Sequence, residues 1–294
     1  MTIYHEITII IVSYKSEKLI SENLAVLKKF PTIIVDNSNS KNLNSIISEY
    51  DNIKLINPKK NLGYGKANNL GVSSSTTPYI LIINPDVLLS EESILKLYLS
   101  FQNNIKNAGV LGPSLYDANM NRRTNGSISY VKKTNGKKLS NFINNIPVGD
   151  TCCEFLVGCC LFLKKDFFNK LGGFDEDFFM YFEDNDLCDR VIKNGKTVME
   201  IPAAHIIHLE NSSSQKSFFQ DTKMALVHKI SSYIYLKKNL SKKSFIYHIL
   251  LNFFDYFQRF IFNFLLFKFK KSFKNFLRLI SIFLYLTNIY KILY

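Results

Sequence analysis

The six residues Ile7-Thr8-Ile9-Ile10-Ile11-Val12 are all β-branched and uncharged. Branching at Cβ stiffens the side chain and favours extended backbone. With no polar residue recurring at alternate positions, neither face of such a strand is left for water. The run fits a strand buried on both sides, as in a parallel sheet. Thr32–Val35, Ile53–Ile56 and Tyr79–Ile83 read as further short buried strands. Between them, Ser16–Lys29 sets Leu19, Ile20, Leu24 and Leu27 on one side of a helix. A second helix is expected from Lys66, after the turn Asn61-Leu62-Gly63-Tyr64-Gly65. Ser90 caps a third, whose first turn holds Glu91 and Glu92, the charge that suits a helix N-terminus. Strand–helix alternation of this kind predicts an α/β fold, a doubly wound, mostly parallel sheet flanked by helices.

Further on the pattern loosens. Residues 103–149 are rich in Asn, Lys, Gly and Ser and read as loops with short strands. Phe155–Leu163 is another apolar run, and Gly172-Gly173 breaks the chain. A helix is expected from about Asp184 to Lys193, stopping at Gly195. Val198–His208 reads as extended, and from Ser217 onward the spacing is helical.

Composition excludes several classes. At 47% hydrophobic and 21% charged residues, the 294-residue chain is neither disordered nor collagen-like. Cys152, Cys153, Cys159, Cys160 and Cys188 lack the CxxC spacing of a zinc site and are too few for a disulfide framework, so reduced thiols are expected. The chain opens without the pattern of a signal peptide, and no apolar stretch is long enough to span a bilayer. A cytoplasmic location is therefore expected. Gly63-Tyr64-Gly65 lacks the third glycine of a dinucleotide fingerprint, and no Walker lysine follows.

Asp36 and Asp86 each follow a predicted strand, where open α/β sheets bind ligands. Two carboxylates converging there suit a sugar nucleotide: one accepts hydrogen bonds from base or ribose, the other holds Mg2+ or Mn2+ on the diphosphate. A second acidic group, Asp175, Glu176, Asp177, Glu183, Asp184 and Asp186, lies among Phe174, Phe178, Phe179, Met180, Tyr181 and Phe182. A carboxylate walled by aromatics can have its pKa raised and act as a general base. His205 and His208, three apart on an extended segment, point to opposite faces.

Taken in order, Ile9–Tyr14, Val35-Asp36-Asn37-Ser38, Asn61–Gly71, Asn84-Pro85-Asp86 and Gly172–Glu176 through Phe182–Arg190 resemble family 2 inverting glycosyltransferases, close to the bacterial rhamnosyltransferase-like group. The resemblance covers about Ile7 to Leu209. It implies a GT-A-like fold, with residues 1–115 as a nucleotide-sugar-binding half, 116–220 as the acceptor-binding and catalytic half, and 221–294 as a helical extension. It also implies roles. Asp36 would contact the base, flanked by Ser13 and Tyr14, while Asn61, Gly63 and Asn69 would shape the adjacent loop. Asn84 and Asp86 match the family's Asp-x-Asp, with a neutral first member, so Asp86 would carry the Mn2+ or Mg2+. Asp184 matches the general base, and His208 a metal or diphosphate contact. The donor would be a nucleoside diphosphate sugar, rhamnose first, and the acceptor a glycan or polyprenyl-linked glycan of a surface polysaccharide. Two rivals are a nucleotidyltransferase, which would need a glycine-rich basic loop after Val12, and an inactive membrane-attached scaffold, against which Asp36, Asp86 and Asp184 argue.

The charge is divided unevenly. Residues 222–294 hold thirteen Lys/Arg against one acid, Asp255, a net +12, while the rest of the chain is +1. Residues 245–294 also hold 12 of the 25 Phe. Basic, Phe-rich helices suit the anionic inner face of the plasma membrane. The other reading is packing on the catalytic body or on a second copy as a homodimer. Nucleic acid is disfavoured because Phe and aliphatic residues dominate the run.

Overall fold

The computed structural model describes residues 3–123, 125–126, 149–209 and 218–292. Strands among them are β1 Ile7–Ser13, β2 Thr32–Asp36, β3 Ile53–Ile56, β4 Tyr79–Ile83, β5 Val87–Leu88, β6 Ala108–Tyr116, β7 Arg122–Arg123, β8 Thr151–Cys153, β9 Cys160–Lys164 and β10 Thr197–His208. The α-helices are α1 Glu17–Leu27, α2 Lys41–Ile47, α3 Tyr64–Ser73, α4 Glu91–Asn103, α5 Lys165–Lys170, α6 Glu183–Lys193, α7 Phe218–Asn239, α8 Lys242–Leu265 and α9 Phe269–Leu286.

The chain divides into two compact units. One comprises Met1–Glu176 and Glu183–Gln215, the other Asp177–Phe182 and Lys216–Tyr294. In the first unit the strands form one sheet in the order β3-β2-β1-β4-β9-β6-β10-β5, with β7 on β6 and β8 on β10. Parallel pairs are β1–β2, β1–β4, β2–β3 and β6–β10, and β9 runs antiparallel between β4 and β6. β1 is buried along its whole length, as its β-branched run requires. Its alternate residues feed two cores. Ile7, Ile9 and Ile11 pack with Ile20 and Leu27 of α1, Leu43 of α2 and Leu97 of α4. Ile10 and Val12 pack on the other side with Ala67 and Val72 of α3, Phe168 of α5 and Leu187 of α6. Helices thus cover both faces, the arrangement expected of this GT-A-like sheet.

Three local differences from the sequence reading stand out. α3 starts at Tyr64 because Gly63, at φ 79, turns the chain into the helix two residues early. The apolar run from Phe155 becomes a strand only from Cys160. The third is β6, a nine-residue and almost wholly buried strand inside the stretch read as loops with short strands. It carries Pro113, which cannot donate to a ladder. β10 accommodates it with a register shift between Ile201 and His205, opposite Pro113 and Ser114. The rest of that stretch, 127–148, and the helix start expected at Ser217 lie outside the described residues.

The second unit is helical. Val227, Ile230 and Tyr233–Leu236 bury α7 on most of its circumference. Segment 177–182 packs on it: Ser231 Oγ donates to the Met180 carbonyl at 2.8 Å, and the His228 ring lies 5.2 Å from the rings of both Tyr181 and Phe182. Tyr181 and Phe182 hold left-handed backbone, φ 71 and 68, which bulky residues seldom adopt. α8 is capped by Ser241, whose Oγ accepts from the Ser244 amide at 3.2 Å. No helix among the described residues is long and apolar enough to cross a membrane.

Candidate active site

Because β1, β2, β4 and β10 run in parallel, their carboxyl ends share one edge of the sheet. Ser13 ends β1 in register with Asp36 at the end of β2. Asn84 and Asp86 follow β4, and His208 ends β10. With strands about 4.8 Å apart, Asp36 and Asn84 flank β1 across a gap of about 10 Å.

At one end of this edge Asp36 is fully buried and turned into its own loop. One carboxylate oxygen accepts from the Ser38 amide (2.9 Å) and hydroxyl (2.6 Å), the other from the Ser40 amide (2.6 Å). In this arrangement the carboxylate is spent on ordering residues 36–40, and a base would meet the loop it holds. Asn37, quoted in the sequence motif but given no role there, ties that loop to the next one: its amide donates to the Gly63 carbonyl (2.9 Å) and its oxygen accepts from the Leu62 amide (3.2 Å). Asn61 accepts from the Gly63 amide at 2.9 Å. Tyr14 is exposed beneath the Lys15 ammonium, 5.8 Å from its ring centroid. A shallow cavity of about 340 Å³, lined by Asn39, Ser40, Lys41, Asn44 and Asn57, opens on the same loop.

Asn69 lies apart from this group. It donates to the Phe174 carbonyl and accepts from the Phe174 amide, both at 2.8 Å, so it clamps the turn after Gly173 rather than lining the strand edge. Arg190 holds the same turn from α6, donating to the carbonyls of Leu171 (2.8 Å) and Gly173 (2.7 Å) while paired with Asp186 at 2.7 Å. Asp186, of the acidic group, and Arg190 thus hold this turn.

A second group gathers around Asp86. Antiparallel pairing of β10 with β5 sets His208 opposite Val87, and His208 Nε2 lies 3.3 Å from an Asp86 carboxylate oxygen. His205 is exposed on the other face, edge-on to Tyr116. Asn84 Oδ1 and Ser13 Oγ are buried with no hydrogen-bond partner. Buried polar atoms are nearly always paired, so both oxygens are open to a partner that the protein itself does not supply. Oxygen donors from Asp86 and Asn84 with an imidazole nitrogen from His208 fit Mg2+ or Mn2+, which take few protein contacts and complete their shell with phosphate and water. Three or more His, Cys, Asp or Glu do not cluster as a cation cage anywhere among the described residues.

Asp184 occupies the first turn of α6, half-buried. One of its oxygens accepts from the Gly158 amide (3.0 Å), the other from the Asn185 amide (2.8 Å) and side chain (3.1 Å). Burial pushes its carboxyl above the ordinary range, against the pull of these donors. Gly158, also absent from the sequence reading, precedes β9. β9 sets Cys160 beside Ile83, and the Asn84 amide donates to the Cys159 carbonyl at 2.9 Å. The Cys159 thiol is pushed up chiefly by burial, with smaller contributions from the charges of Asp86 and Asp184. Tyr64 donates to the Gly158 carbonyl at 2.7 Å and fixes that peptide from the α3 side.

Beside Asp184, Glu183 is buried, and its Oε2 has no partner. Burial, and then the Asp184 charge, raise its carboxyl well above the ordinary range. The folded state therefore binds this proton more tightly than the unfolded chain. Stability from it is complete at acid pH and is lost as pH rises from the unfolded pKa through the folded one. Glu183→Gln should flatten that decline and raise Tm at neutral pH. Parallel Tm–pH curves for wild type and variant would exclude a buried neutral Glu183.

Comparison with known proteins shows the family of the chain. The sequence profile described as glycosyl transferase family 2 matches residues 8–172, and that of the N-terminal domain of galactosyltransferase matches 151–212. The Escherichia coli rhamnosyltransferase WbbL is 27% identical over 260 residues, covering 81% of this chain and 96% of that protein. The Mycobacterium tuberculosis N-acetylglucosaminyl-diphospho-decaprenol L-rhamnosyltransferase is 27% identical over 249 residues, covering 74% and 78%. Among solved structures, the Pyrobaculum calidifontis mannosyltransferase PcManGT, in complex with GDP-Man and Mn2+, superposes with a TM-score of 0.56 at 13% identity over 81% of this chain. This chain spans 65% of the length of that structure. S. aureus TarS with UDP-GlcNAc gives 0.53 at 15% identity, covering 82% and 69%. The solved structures share the GT-A fold with this chain. Since the first profile takes in more than half of its residues, this chain belongs to glycosyl transferase family 2 and is a glycosyltransferase.

Proposed function

We propose that the protein transfers a sugar, rhamnose first, from a nucleoside diphosphate donor to a hydroxyl of a glycan or polyprenyl-linked glycan, with inversion, during surface polysaccharide synthesis at the inner face of the plasma membrane. The observation that carries this reading is the Asp184 carboxylate, raised by burial and held by the amide of Gly158, whose neighbour Cys159 accepts through its carbonyl from the Asn84 amide two residues before Asp86. Residues 1–115 act as the donor half and 116–220 as the acceptor half. The base rests against the loop that Asp36 holds, flanked by Ser13 and Tyr14, and the Asn61–Gly63 turn shapes its far side. Asn69 acts from behind, by fixing Phe174. Asp86 and His208 would hold Mn2+ or Mg2+, with Asn84 Oδ1 beside them. When bound, the cation neutralises diphosphate charge as the leaving group departs. Asp184 takes the acceptor proton while that oxygen attacks the anomeric carbon and the bond to the diphosphate breaks. One displacement inverts the configuration. Rhamnose is preferred because two of the relatives above are named rhamnosyltransferases.

A thermal-shift screen of dTDP-rhamnose and UDP sugars with Mn2+ or Mg2+ tests the donor side. Donor at a hundredfold over its Kd should add about 2.7 kcal/mol of stability. Asp86→Asn should abolish the metal-dependent part of that shift and keep the fold. An undiminished shift would remove Asp86 from the metal site. Donor binding without release of nucleoside diphosphate, across a panel of glycan and polyprenyl-linked acceptors, would instead leave the chain a scaffold.

A further inference from the structure

We propose that the outer face of the α8–α9 pair is a docking surface for an anionic lipid bilayer, lying in the headgroup–acyl boundary without crossing it. α8 packs through a seam containing Ile249 and Tyr256, both buried. Away from the seam, Leu250, Phe253, Phe254, Phe257, Ile261 and Phe264 are all exposed. Their spacing of three, one, three, four and three residues draws a stripe about 21 Å long at 1.5 Å per residue. α9 continues it. Phe269, Phe273, Phe276 and Phe283 are exposed at spacings of four, three and seven. Ring contacts join the two helices into one surface, Phe264 to Phe269 at 5.9 Å and Phe260 to Phe276 at 5.8 Å. At the connecting turn Leu265 is 68% and Phe267 80% exposed, with Lys268 and Lys270 beside them. Contiguous exposed apolar residues of this kind mark a protein or membrane contact rather than a bare solvent face.

Charge selects the partner. The +12 carried by residues 222–294 favours an anionic surface. Each basic residue close to such a surface raises partitioning about fivefold, and lysine stems beside the Phe residues can lie along the acyl boundary with their ammonium groups in the headgroups. A second copy would bring the same positive charge against itself, and protein interfaces are depleted in lysine. A spanning mode is closed to the described helices, none of which is long and apolar enough. α9 itself is two-sided. Opposite its Phe stripe, Lys271, Lys274 and Arg278 line a cavity of about 200 Å³ with Arg259 of α8, which keeps that side in water. The surface gives a location to the membrane contact within the proposed function and rests on that part of it, not on the chemistry of Asp184.

The test is flotation of the full chain with vesicles of phosphatidylglycerol and phosphatidylcholine, against phosphatidylcholine alone. Wild type should float with the anionic vesicles and partition at least tenfold less to neutral ones. Phe254→Ser with Phe273→Ser, exposed positions whose replacement keeps Tm, should lower anionic partitioning at least tenfold. Lys268→Glu with Lys270→Glu should lower it by a similar factor, and more than Lys271→Glu with Lys274→Glu. Failure of wild type to float, or serine variants that float unchanged, would overturn the proposal. So would a stable dimer by light scattering that the serine variants dissolve while vesicle binding is unaltered. A donor thermal shift on the same samples separates the two readings: lost shift with intact flotation removes the chemistry, and the reverse removes the docking face.

Discussion

Asp184→Asn lowers turnover by about 10²–10⁴-fold, the usual contribution of a general base, while donor affinity measured by calorimetry stays at the wild-type value. The asparagine is nearly isosteric and sits in the same helix turn, and its oxygen can still accept from the Gly158 or Asn185 amide. What it cannot do is take a proton. In the proposed reading the donor's contacts come instead from the strand ends carrying Ser13, Asn84, Asp86 and His208, which the substitution does not touch. The pH dependence carries a second signature. Burial raises the Asp184 carboxyl, and the base works only when ionised. Activity should therefore fall with acidification along a limb centred above the ordinary carboxylate range, and the variant should lack that limb. Turnover within twofold of wild type, or an unchanged acid limb, would take the base away from Asp184.

The parts of this arrangement that could be read from sequence are those with a periodic or compositional signature. β1, β2 and β4 announced themselves because their apolar residues run continuously, as strands buried on both faces must, whereas β3, read as buried, is broken by the exposed Lys54. α6 was visible through its acidic first turn and the left-handed Gly195 beyond its end, at φ 71. β6 was not, since Gly109, Gly112 and Pro113 are the residues that normally exclude a central strand. Two register shifts between β6 and β10, one at Gly109 and one between Pro113 and Ser114, accompany them, and no local pattern encodes these. α2 escaped because its seven residues include two Asn and a Ser, and its helicity comes from burying Leu43 and Ile47. The same division runs through the site. Carboxylates advertise their chemistry. Asn37 and Gly158 act through amides, and their partners lie 26 residues away or about that far along the chain. For Asn69 the motif gave the residue but not its direction, which depends on where the Gly173 turn lands.

Gly158→Ala is expected to cost about 10²-fold in kcat with donor affinity unchanged. A Cβ at this position would lie 3.0 Å from Asp184 Cβ and 3.2 Å from Oδ2, the oxygen that receives the Gly158 amide. The crowding acts on the branch point of a short side chain anchored in a helix turn, so the carboxylate has little freedom to yield. Tyr64 holds the Gly158 carbonyl from the other side and opposes a shift of the peptide. The carboxylate must therefore swing or lose its amide bond, and a displacement near 1 Å at a reacting group is worth about that factor. A double variant separates positioning from any chemistry of the peptide itself. If Gly158 acts only by aiming the base, Gly158→Ala adds nothing once Asp184→Asn has removed the proton acceptor, because residues that work as a unit are strongly non-additive. A further hundredfold loss in the double variant would give the Gly158 peptide a role of its own. Full activity in the single variant would mean that the base does not need the amide.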